Sequence, residues 1–189
     1  MLKKWAVTAI GAALLAGCAS NKPQIAAPAP APAPQELPYR WTQGNAPRAH
    51  KESLALWGPV AMKPGDYRWA PTIPASGEAK VVIDLLTQRF YIYRGDSLVG
   101  MSTISSGKKG KETPLGFWKV FRKQVKGFSR KYDNAPMPYM QMYDEKGIAF
   151  HAGALPGYPA SHGCVRLPLK FAEKLYGLTK LGTQVIIEG

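Results

Sequence analysis

Residues 80–105, KVVIDLLTQRFYIYRGDSLVGMSTIS, carry the reading of the fold. Residues 80–85 are apolar and β-branched, and residues 89–94 place aromatic and aliphatic side chains between two arginines. Residues 98–105 make a third such run. Arg94-Gly95-Asp96-Ser97 separates the last two with the chemistry of a tight turn. Short β-prone runs joined by turns form a meander of strands. The same pattern continues downstream, with strands expected at residues 117–121, 137–142, 147–150 and 184–187. One helix is expected to begin at Leu167-Pro168, where proline suits the first turn. It carries Phe171, Ala172, Leu175 and Tyr176 on one face and ends near Gly177. These elements predict a β-dominated α+β domain over residues 63–188, with short strands in a curved sheet or sandwich and one principal helix near the C-terminus.

Two connections interrupt the strands. Gly107-Lys108-Lys109-Gly110 is a flexible basic loop without the glycine spacing of a phosphate cradle. Residues 122–136 hold Arg122, Lys123, Lys126, Arg130 and Lys131 without a clear period, and are expected to lack secondary structure. A connection of that length inside a domain is either a lid over a site or a solvated charged loop.

Upstream, residues 39–77 are rich in aromatics but broken by Pro47, Pro59, Pro64, Pro71 and Pro74. Irregular chain is expected up to about Met62, then a turn and a short strand through Lys63-Pro64-Gly65-Asp66-Tyr67-Arg68-Trp69. Pro23 and the alternating alanines and prolines of residues 27–34 make an extended, solvated spacer. Residues 1–17 read as a lipoprotein signal peptide, with Lys3 and Lys4 before an apolar run too short to span a bilayer comfortably. Leu15-Ala16-Gly17-Cys18 is similar to a lipobox, which makes Cys18 the expected lipidation site; an ordinary signal peptide with Cys18 incidental is the alternative. A long tether over residues 18–62 would follow. The expected location is the periplasmic side of a membrane, the outer membrane being favoured by Ala19.

The chain has 189 residues, two cysteines, three histidines and a formal charge of +13. Two cysteines in such different contexts make no disulfide framework. The charge fits an anionic partner such as a membrane surface or an acidic wall polymer. Nothing similar to a nucleic-acid-reading motif accompanies it, so no nucleic acid is expected as a partner.

The chemistry is concentrated in Ser161-His162-Gly163-Cys164-Val165-Arg166-Leu167, with His151 thirteen residues before the cysteine. A thiol with an imidazole in reach is the minimal equipment for nucleophilic acyl transfer. Gly163 permits a tight turn that aims successive backbone N–H groups at one point. His151, His162 and Cys164 as zinc ligands are the alternative, though no clear fourth ligand lies near.

Val82-Ile83-Asp84 with Gln88, Ser106-Gly107, Thr113-Pro114-Leu115-Gly116, Met137-Pro138-Tyr139-Met140, Ile148 to Gly153 and Ser161 to Leu167 together resemble the YkuD-type L,D-transpeptidases of bacterial cell walls. The resemblance covers roughly residues 78–188. It implies a YkuD-like fold, Cys164 as nucleophile and His151 as general base held by the backbone carbonyl of Ala152. It also implies an oxyanion hole of backbone N–H groups around His162, Gly163 and Cys164. Ser161, Arg166, Tyr139 and Met140 are then expected to bind substrate or support the site. The implied substrate is a peptidoglycan tetrapeptide stem, and the acceptor an amine of a second stem or of a wall-anchored protein. No metal or cofactor is expected. Hydrolysis by the same cysteine and a non-catalytic wall-binding lipoprotein are the competing functions. The His151–Cys164 connection is shorter than in the best-known members, which bears on acceptor choice.

Overall fold

The computed structural model describes residues 38–189, so Cys18, the signal peptide and most of the proline-rich tether lie outside the described residues. The strands are β1 (Tyr67–Trp69), β2 (Ala79–Asp84), β3 (Arg89–Arg94), β4 (Ser97–Thr103), β5 (Gly116–Lys119), β6 (Arg122–Phe128), β7 (Pro136–Asp144), β8 (Ile148–Ala152), β9 (Val165–Leu167) and β10 (Gln184–Glu188). Helix α1 (Asn45–Trp57) precedes them and α2 (Leu169–Leu178) lies between β9 and β10.

One sheet has the order β1-β4-β3-β2-β10-β5 and the other β6-β7-β8-β9. Most neighbours are antiparallel, but β2 with β10 and β8 with β9 run parallel. The main core lies between the sheets, where Val81, Ile83, Phe90 and Ile92 of the first meet Tyr143, Phe150, Ala152 and Val165 of the second. Helix α2 pushes Phe171, Ala172 and Leu175 into the same core, and Trp69 stacks on Phe171 at 4.7 Å. Strand β2 reads as a continuous apolar run because both its faces are covered. Val81 and Ile83 point inward, whereas Val82 meets Ala46 and Ala49 of α1 on the outer face.

Helix α1 corrects the expectation of irregular chain over residues 39–62. Pro47 stands in the first turn, where a missing N–H costs nothing, so it does not break the helix. The N-terminus is capped from far away in sequence. The Glu188 carboxylate, fully buried, accepts hydrogen bonds from the backbone N–H groups of Gln43, Asn45 and Ala46 and from the side chains of Thr42 and Asn45. Trp41 and Gly189 exchange backbone hydrogen bonds, and the Tyr39 hydroxyl donates to Asp84 at 2.8 Å. A 13-residue helix is marginal in isolation, and this docking supplies what its own sequence lacks.

Strand β6 corrects the expectation for residues 122–136. It is a seven-residue edge strand paired with β7 from Arg122↔Met142 to Phe128↔Pro136, so only residues 129–135 form a loop. The alternation was invisible because neither face of β6 is uniformly apolar; the β7 ladder, not its side chains, makes it a strand.

Candidate active site

Strands β8 and β9 build the site. Their parallel register sets His151 opposite Arg166 and Phe150 opposite Val165. Side chains alternate along a strand, so Phe150 and Val165 enter the main core, while His151 and Arg166 take the other face. Cys164 immediately precedes β9 and packs with Ala149, Met137 and Met140 on that other face. It is therefore a diagonal neighbour of His151 on one sheet surface. Thirteen residues of sequence separation are folded away by the connection between the strands.

His151 is buried, and its Nδ1 lies 2.8 Å from the carbonyl oxygen of Ala152. A carbonyl only accepts, so Nδ1 carries the proton and the neutral ring keeps Nε2 free as a base. Burial lowers the His151 pKa below its ordinary 6.5; the Ala152 contact opposes this and the Arg166 charge adds to it. Burial likewise raises the Cys164 thiol above its ordinary 9.0, against the backbone of Ala149 and the charge of Arg166. Both groups are pushed towards their neutral forms. Both shifts favour a thiol and a neutral imidazole over a thiolate–imidazolium pair.

The turn before Cys164 is fixed by two shells of hydrogen bonds. Ser161, almost fully buried, donates from Oγ to the carbonyl of Cys164 and accepts from the N–H of Gly163 at 3.0 Å. Gly163 has φ 118°, a conformation that a side chain disfavours, and its carbonyl accepts from the Thr113 hydroxyl at 2.8 Å. Behind them, Ser106 accepts from the N–H of Ser161, and Gln88 grips Ser106 by both its backbone N–H and its hydroxyl. At Gly107 a Cβ would sit 2.1 Å from the carbonyl oxygen of Lys111, so the loop over residues 107–113 closes only around glycine. Gln88, Ser106, Gly107 and Thr113 were visible only as parts of the family pattern; their work in holding the turn was not legible, since each acts through distant chain.

This geometry redistributes the expected roles. The Gly163 N–H is taken by Ser161, which leaves the N–H groups of His162 and Cys164 as the backbone donors without a protein acceptor among the described residues. Ser161 spends its hydroxyl inside the turn, where it supports the site. Tyr139 lies outside the cleft, on the opposite face of β7 from Met140, and its hydroxyl donates to Glu173 of α2 at 2.9 Å. Met140 does line the cleft. Arg166 packs its stem over Gly153 and takes part in no ion pair among the described residues. The three residues weighed as zinc ligands do not converge: no group of three His, Cys, Asp or Glu with metal-binding geometry occurs among the described residues.

Cys164 opens into a cleft of about 620 Å³. One wall is β6 with the β6–β7 loop, whose Tyr132 stacks on His162 with ring centroids 4.4 Å apart. Residues 78–187 match the family model for the L,D-transpeptidase catalytic domain, YkuD. The chain belongs to the YkuD family. Solved YkuD and L,D-transpeptidase structures share its fold. One from Stackebrandtia nassauensis is 27% identical with a TM-score of 0.54, over 62% of this chain and 58% of that one. The enzyme from Xylanimonas cellulosilytica is 28% identical with a TM-score of 0.53, over 63% and 64%. That from Mycobacterium smegmatis is 19% identical with a TM-score of 0.55, over 59% of each chain, and speaks for the fold alone. This chain therefore spans less than two thirds of each of these structures. No curated protein is significantly similar to it.

Proposed function

We propose that this YkuD-family chain is a peptidoglycan L,D-transpeptidase with Cys164 as nucleophile and His151 as general base. The thiol passes its proton to Nε2 of His151 as sulfur attacks the carbonyl of the third residue of a tetrapeptide stem. The N–H groups of His162 and Cys164 receive the developing oxyanion. Collapse breaks the peptide bond, His151 returns the proton to the departing D-alanine amine, and a thioester remains. An amine of a second stem, or of a wall-anchored protein, then attacks the thioester and loses its proton to His151, which protonates the leaving sulfur. An oxyanion donor of this kind is worth on the order of 3 kcal/mol of barrier.

The hydrogen bond from His151 Nδ1 to the Ala152 carbonyl carries this reading. It fixes the tautomer that leaves a basic nitrogen on the face shared with Cys164. The test is to incubate the protein with purified tetrapeptide muropeptides and analyse products by mass. Cross-linked dimers with loss of D-alanine are expected from the wild type and none from Cys164→Ala; dimers from the variant would end the proposal. Tripeptide without dimers would favour the hydrolytic alternative.

Anchoring through a lipid on Cys18 would hold the domain at a periplasmic membrane surface, within tether reach of the wall. Palmitate labelling that survives Cys18→Ser would remove that part of the reading.

A further inference from the structure

The cleft beside Cys164 carries a charge that acyl transfer does not use. Strand alternation sets Arg122, Gln124, Lys126 and Phe128 of the edge strand β6 along one wall. The β6–β7 loop adds Arg130 and Lys131, and Lys111 and Lys146 stand on the remaining rim. Six cations therefore face one cleft against two acids, Glu112 and Glu145, and Glu112 is already engaged by the N–H of Gly110. None of the six belongs to the ion pairs among the described residues, which are Arg48–Glu52, Lys170–Glu173 and Lys180–Glu78.

Lys123 shows the contrast within the same strand. One residue along, it faces the opposite side and gives its ammonium to the carbonyls of Tyr176 and Thr179 at the C-terminus of α2. Strand β6 thus commits one cation to the protein and leaves Arg122 and Lys126 to whatever enters the cleft. Uncompensated like charges repel, and a concave wall focuses their field, so an anionic occupant is favoured. Phe128, Tyr132, Met137 and Met140 give the same cleft apolar surface, which suits a peptide better than a bare ion.

We propose that this wall reads the free carboxylates of the peptide in the cleft, so that the chain selects stems with ionised side carboxylates over the same stems carrying carboxamides. This rests on the reading of the cleft as a stem-peptide site. A guanidinium fork meets a carboxylate with two charged hydrogen bonds and an uncharged carboxamide with weaker ones. Each solvent-exposed pair contributes about two- to fivefold in affinity, so two carboxylates separate the peptides by roughly tenfold at low salt.

The test uses the full chain carrying Cys164→Ala and two synthetic tetrapeptides, L-alanyl-D-glutamyl-diaminopimelyl-D-alanine with its side carboxylates free or amidated. Calorimetric titration at low salt is expected to show the free form binding about tenfold more tightly, with the gap narrowing at ~0.5 M salt as screening shortens the field. The double substitution Lys126→Gln and Arg130→Gln, both on exposed residues, is expected to remove most of the gap without lowering the melting temperature. Equal affinities, no binding of either peptide, or a gap that survives the double substitution would overturn the proposal. Binding of inorganic polyphosphate of equal charge as tightly as the free peptide would overturn it too, marking an unselective cationic surface. Wild-type turnover of both peptides is followed in parallel. Selective binding without turnover of either peptide would support the carboxylate wall while counting against the acyl-transfer reading.

Discussion

Ser161→Ala removes one oxygen that closes the turn carrying Cys164. The hydroxyl is almost fully buried and makes two contacts, accepting from the Gly163 N–H and donating to the Cys164 carbonyl. Alanine leaves a buried N–H without a partner, which costs about 1–3 kcal/mol of stability. For a chain of this size that is a fall of between about 2 and 12 °C in melting temperature. Catalysis should suffer more than stability. Gly163, held at φ 118°, would be free to relax, and the neighbouring N–H of Cys164 would move with it. Displacing one oxyanion donor lowers kcat by about 10²-fold or more. The thiol is not itself touched by Ser161, so alkylation by iodoacetamide should keep its rate. The assay combines thermal unfolding, single-turnover release of D-alanine and alkylation kinetics on the same preparation. A melting temperature that falls while kcat stays at the wild-type value would refute the idea that this hydroxyl sets the hole.

Two further outcomes follow from the titrating groups. Because burial drives His151 down from 6.5 and Cys164 up from 9.0, absorbance at 240 nm should show no thiolate at pH 7, with kcat/KM level between those two values; thiolate absorbance at neutral pH would contradict the neutral pair. Burial pushes the Glu188 carboxyl up, but the hydrogen bonds from Ala46, Asn45, Gln43 and Thr42 outweigh it and hold the group below its ordinary 4.5. Its contribution is then fully present above 4.5 and is lost as pH falls through the lower folded value. Glu188→Gln should cost about 1–3 kcal/mol in urea unfolding at pH 7 and progressively less in acid, with faster amide exchange in α1. A loss independent of pH would show that the charge is not what caps the helix.

Most of the meander was legible because β2, β3 and β4 are local, strongly patterned and separated by turn residues. Strand β6 was not, because Arg122, Lys126 and Phe128 face a solvent-filled cleft, where hydrophobic alternation is not required. Helix α1 was hidden by Pro47, read as a breaker although it stands in the first turn, and by a cap that comes from Glu188. The cysteine, the histidine and their glycine turn could be named from residue type and spacing. The assignment of Ser161 and Tyr139 to substrate could not be checked without knowing which way each side chain pointed.

The sequence by itself determined that this is a β-dominated domain with one thiol and one imidazole suited to acyl transfer, because strand propensity and reactive groups are properties of local residues. Tertiary structure alone decided three other matters. The parallel pairing of β8 with β9 puts Cys164 and His151 on one face, and burial at that face lowers the His151 pKa and raises that of Cys164. The Ser161 hydroxyl takes the Gly163 N–H and so leaves the N–H groups of His162 and Cys164 as the two donors for the proposed oxyanion hole. Strand β6 gathers Arg122 and Lys126 along the cleft and sends Lys123 the other way. Each depends on register, burial or direction, and those exist only once distant segments have been brought together.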